Sequence, residues 1–154
     1  MPERRRFITN RSRELEIGYV DIEPRVIAQL EPVIDSMVWM LPPWCSRLAV
    51  FVDDTDGFIA TMGCDVKYRR ARLTLDPKFL IQSAADQREY LAHEFTHVLI
   101  APMQDMGKDL IDTIHGGDPL VQALRRRWSE AYESVCEDVM RAVSGRGSRV
   151  RAKR

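Results

Sequence analysis

The chain has 154 residues, 45% of them hydrophobic and 30% charged, which suits one globular domain able to bury its own core, and no second enzyme domain is expected within these residues. Twenty-three basic residues balance 23 acidic ones, so no overall field draws the molecule onto nucleic acid or an anionic membrane. No stretch approaches the roughly 20 consecutive apolar residues that a bilayer-spanning helix needs.

Residues 1–13 are basic and lack periodicity, and Arg146, Arg149, Arg151, Lys153 and Arg154 sit among glycine and serine at the other end. Both segments, 1–13 and 145–154, are expected to be flexible tails around a single domain over 14–144. A short strand is expected from Glu14 to Val20. Pro24 opens a helix in which Val26, Ile27, Leu30, Val33, Ile34, Met37 and Val38 recur at helical spacing, with a kink at Pro32 and a stop at Leu41-Pro42-Pro43. Strands follow at 48–52, 58–64 and 68–75, the first ending in the turn Asp53-Asp54-Thr55-Asp56-Gly57. In the last, Ala71, Leu73 and Leu75 alternate with Arg70, Arg72 and Thr74, the pattern of a strand with one buried face. Ser83-Ala84-Ala85-Asp86 reads as the cap of a helix over about 86–100, with Pro102 ending it and loop or short helix from 102 to 117. Asp118-Pro119 then opens a long helix to about Val143.

Cys45, Cys64 and Cys136 are an odd number without close spacing, so reduced, buried thiols are expected. The N-terminus lacks the apolar core of a secretory signal, which makes the cytoplasm the expected location.

The chemistry concentrates in Tyr90-Leu91-Ala92-His93-Glu94-Phe95-Thr96-His97-Val98-Leu99-Ile100. Residues four apart on a helix share a face, so His93 and His97 can offer two imidazole nitrogens to one Zn²⁺ ion. Glu94, one position round, can act as general base toward a water activated by that zinc. These are the mechanics of the H-E-x-x-H zinc hydrolase motif. The bland alternative is a histidine pair on an ordinary surface helix, but the chain has only three histidines and two of them stand here with the glutamate in place.

A zinc site needs a third protein ligand. The metzincin pattern is absent, since Ile100 and Met103 occupy its glycine and third-histidine positions. Two candidates remain. Glu133 lies on the final helix, where a wheel puts Leu120, Leu124, Trp128, Val135, Val139 and Ala142 on the apolar face and groups Glu130, Glu133 and Glu137 away from it. That group is either a solvated acidic face or a source of a metal-binding carboxylate. His115, in Ile114-His115-Gly116-Gly117, is the other candidate, with a loop histidine before a helix cap as its plain reading.

His93-Glu94-x-x-His97 followed by a helical glutamate resembles the gluzincin arrangement, and more closely the small zincin-like metallopeptidases of bacteria and their phages. The likeness spans roughly residues 45–143: a strand like 68–75 precedes the helix, Ala101-Pro102-Met103 follows it, and Glu133-x-Val135-x-Glu137-Asp138-Val139 lies near the end. It implies a zinc-dependent peptidase with an α+β, zincin-like fold, in which a short, mostly antiparallel sheet packs on the active-site helix and a long C-terminal helix. It further implies His93, His97 and Glu133 as ligands, Glu94 as base, and Glu137 or Asp138 as a carboxylate orienting a ligand histidine. His115-Gly116 also resembles the third-ligand segment of SprT-like proteases, although Leu120 stands where that pattern has an aromatic residue. With Glu133 as ligand, His115 would instead steady the developing oxyanion, a role for which Tyr132 is a weaker candidate.

The expected partner is a protein or peptide substrate, with no membrane. The basic ends could neutralise phosphates, but solubilising tails are the commoner case and nucleic acid is not favoured. The rival to an enzyme is a binding module with a structural zinc closed by four protein ligands, and His93, His97, His115 and Glu133 could supply that set. A metal-free domain with a chance motif is the third reading. Oligomeric state and substrate are open at this level.

Overall fold

The structure, a computed structural model, describes residues 3–10, 13–113 and 119–144. It comprises two compact units, Met1–Leu99 and Ile100–Arg154.

The first unit holds a five-stranded mixed sheet in the order β1-β2-β3-β5-β4: β1 Arg4–Asn10, β2 Arg13–Tyr19, β3 Arg47–Val52, β4 Ala60–Asp65 and β5 Arg70–Leu75. The mostly antiparallel sheet is a correction, because β2 pairs with β3, and β3 with β5, in parallel, and only the outer pairs β1–β2 and β4–β5 are antiparallel. The parallel β2–β3 pair is possible because α1, Pro24–Met37, provides the long connection that parallel neighbours require. Pro32 lies inside α1 without ending it, and a short 3₁₀ turn, Val38–Met40, follows.

One face of the sheet is buried through Leu15, Ile17, Tyr19, Leu48, Val50, Ala71, Leu73 and Leu75. Ile27, Leu30, Val33, Ile34 and Met37 of α1 are buried as well. Arg70 and Arg72 of β5 point to the other, open face, as the alternation predicts.

β1 corrects the expectation of a flexible tail before residue 14. Its arginines hide the strand signal, yet Arg4 pairs with Glu31 at 3.2 Å and Arg6 makes a two-pronged contact with Asp35, both on α1. Charge pairing here takes the place of apolar burial, and a charged outer strand also resists edge-to-edge association.

The helix expected over 86–100 runs from Ala84 to Asp112, α2, and so crosses from the first unit into the second. Its start is the expected cap: the Asp86 amide donates to Ser83 Oγ at 3.1 Å, and the Ser83 hydroxyl donates to the Asp86 carboxylate at 2.7 Å. Among the described residues the second unit also holds α3, Pro119–Ser144, in the place expected for the long final helix. The basic segment 145–154 lies outside the described residues. None of the three cysteines forms a disulfide; Cys45 and Cys136 are buried and Cys64 half-buried. Among the described residues no helix is long and apolar enough to cross a membrane.

Candidate metal centre

α2 is buried almost all round where it carries the motif. Leu91, Ala92, Phe95, Thr96 and Val98 are inaccessible or nearly so, which rules out the ordinary surface helix. The Thr96 hydroxyl turns back to the Ala92 carbonyl at 2.7 Å, satisfying a polar group that burial would otherwise penalise.

His93 and His97 are half-buried. Their Nε2 atoms stand 3.1 Å apart, with ring centroids 4.8 Å apart and planes at 80°. Two nitrogens bound tetrahedrally to one zinc at about 2.0–2.1 Å would be roughly 3.3 Å apart, so the pair fits a shared divalent ion with little adjustment. The donor chemistry fits too, because neutral imidazole is a common metal ligand. Glu94, beside His93, is 8% exposed. A glutamate on a solvated face would be open to water, and burying a carboxylate is costly unless the fold gives it a partner or a task.

Pro102 does not end α2, contrary to expectation. A proline inside a helix has no N–H for the carbonyl four residues earlier, here that of Val98. The Trp44 indole Nε1 donates to that carbonyl at 3.1 Å. Trp44 is fixed in turn by Arg69, whose Nε donates to the Trp44 carbonyl at 3.0 Å and whose Nη2 donates to that of Pro43 at 3.3 Å. The sequence reading missed Trp44, and the signal that could have found it is a proline within an apolar helical pattern, which creates a need for a donor elsewhere.

On α3, Glu133 is exposed. The buried positions are Val121, Tyr132, Cys136 and Met140, whereas Leu120 is 60% and Val135 39% exposed, so the apolar face is rotated from the one expected. Cys136, one turn beyond Glu133, is a residue of zinc-ligand type that the sequence reading treated only as a buried thiol. Arg125, Arg126 and Arg127 are exposed, as a solvated face requires. His115 lies outside the described residues.

Family models, curated proteins and solved structures give no match to this chain. The reading of the motif therefore stands on its own residues.

Proposed function

We propose that the chain is a zinc-dependent metallopeptidase. The observation that carries the reading is the 3.1 Å approach of the two Nε2 atoms on a buried helix, with a buried glutamate at the next position. His93 and His97 would hold the ion, with a third ligand from the final helix, Glu133 by the resemblance described above. Cys136 and His115 are the alternatives, to be separated by substitution.

Zinc, when bound, would supply Lewis acidity to a scissile carbonyl and lower the pKa of water. Glu94 would take the proton of the attacking water as the C–O bond forms and then deliver it to the amine nitrogen, so that the C–N bond breaks as the tetrahedral adduct collapses to the carboxylic acid and the free amine. Burial of Glu94 keeps bulk water from competing for that proton and strengthens its interactions. Leu91, Phe95 and Val98 lock the helix and hence the order of the three side chains along it.

The test is hydrolysis of an unfolded polypeptide by the purified chain. Cleavage that a chelator abolishes and zinc restores supports the reading. A zinc-loaded chain that leaves unfolded polypeptides intact favours the structural-zinc alternative.

A further inference from the structure

We propose that Trp44 is a positioning residue for the His93–His97 pair, acting through the Val98 carbonyl that Pro102 deprives of its helical donor. The inference rests on the zinc reading above. The Pro102 ring lacks an N–H and crowds the carbonyl four residues before it, which bends or breaks most helices. Val98 is the residue directly after His97, so a bend released there would act on the peptide next to a ligand. The indole N–H, a donor with no acceptor role, meets that carbonyl at 3.1 Å.

The donor comes from a fixed point on the rim of the sheet. Arg69 closes the β4–β5 turn with a φ of 56° and an N–H bond to the Val66 carbonyl at 3.1 Å. From there it holds the carbonyls of Trp44 and Pro43, while the Ser46 amide donates back to the Arg69 carbonyl at 2.8 Å. The chain Arg69, Trp44, Val98 thus links the sheet to the metal-binding helix through directional bonds. Hydrogen-bond partners of metal ligands themselves commonly change metal affinity by about 10–100-fold when removed, and a bond to the residue next to a ligand belongs at the lower end of that range.

The experiment is zinc affinity, measured by competition with a chromophoric chelator, on the parent, Trp44→Phe, Pro102→Ala and the double variant. Trp44→Phe keeps an aromatic ring and removes the N–H, and affinity should fall about 10-fold. Pro102→Ala gives Val98 a helical donor again and makes the indole N–H redundant. The double variant should therefore bind within about threefold of Pro102→Ala alone, a rescue that a packing role would not show. If Trp44→Phe does not fold, benzothienylalanine at position 44 keeps the bicyclic shape without the N–H and takes its place. Unchanged affinity in Trp44→Phe, or a double variant as impaired as Trp44→Phe, overturns the proposal while leaving the zinc reading intact. A parent chain that takes up no zinc overturns both.

Discussion

The indole of Trp128 on α3 occupies the space where a side chain at residue 107 of α2 would stand: a Cβ on Gly107 would lie 2.0 Å from Cζ2 and 2.2 Å from Cε2 of the ring. Glycine inside a helix costs roughly 1 kcal/mol relative to alanine, so position 107 is held by close approach and not by helix preference. Gly107→Ala should therefore destabilise the chain by about 1–3 kcal/mol in urea unfolding, the usual cost of overpacking, despite its gain in propensity. A Gly107→Ala chain more stable than the parent would mean that Trp128 does not pack there.

The β1–β2 hairpin is fastened to α1 by Arg4–Glu31 and Arg6–Asp35. Asp35 is 43% exposed at its side chain, so the pair is partly screened and worth on the order of 0.2–1 kcal/mol. Asp35→Ala should leave global stability little changed and speed amide hydrogen exchange selectively in β1. Uniform exchange rates across parent and variant would show that β1 is held by its strand pairing alone.

Tyr19 gives the fold a specific alkaline limit. Burial pushes its phenol up to about 12, with Arg6 opposing and Glu31 and Asp35 adding to the effect. Below pH 10 the group is neutral both folded and unfolded and contributes no pH dependence. Between about pH 10 and 12 the unfolded chain releases the proton that the folded chain keeps, so stability falls as pH rises. The Tyr19 hydroxyl has no hydrogen-bond partner among the described residues, so Tyr19→Phe should cost nothing near neutrality and remove that alkaline loss. Urea unfolding at about pH 9 and about pH 11 checks both points; an alkaline loss that persists in Tyr19→Phe assigns it to another group.

Glu94→Gln separates the base from the ligands. The amide keeps the shape and loses the proton-accepting charge, so zinc content should match the parent while hydrolysis falls by about 10²–10⁴-fold. Equal turnover in the two proteins would remove Glu94 from the chemistry.

Local features of the fold were legible in the sequence. Ala71, Leu73 and Leu75 are buried opposite exposed Arg70 and Arg72, and Ser83 caps α2, because both signals lie within a few residues of their effect. The His93 and His97 pairing was legible for the same reason, since helical periodicity alone brings them together. Non-local compensation was hidden. Pro102 reads as a stop because its missing donor is supplied by Trp44, more than a full strand–turn–strand segment away in the chain. β1 reads as a tail because Arg4 and Arg6 find their partners on α1. The parallel pairings were also hidden, since strand composition carries no direction. On α3, a wheel weighted by aliphatic residues placed Leu120 and Val135 inside, while Tyr132 and Cys136 are the side chains actually buried.

Whether His93 and His97 hold zinc is decided by elemental analysis of the chain purified without added metal. About one zinc per chain is expected in the parent, lost in both His93→Ala and His97→Ala and sharply reduced in Glu133→Ala. A parent chain that contains no zinc and takes none up on reconstitution would contradict that expectation and leave the motif a coincidence of helical spacing.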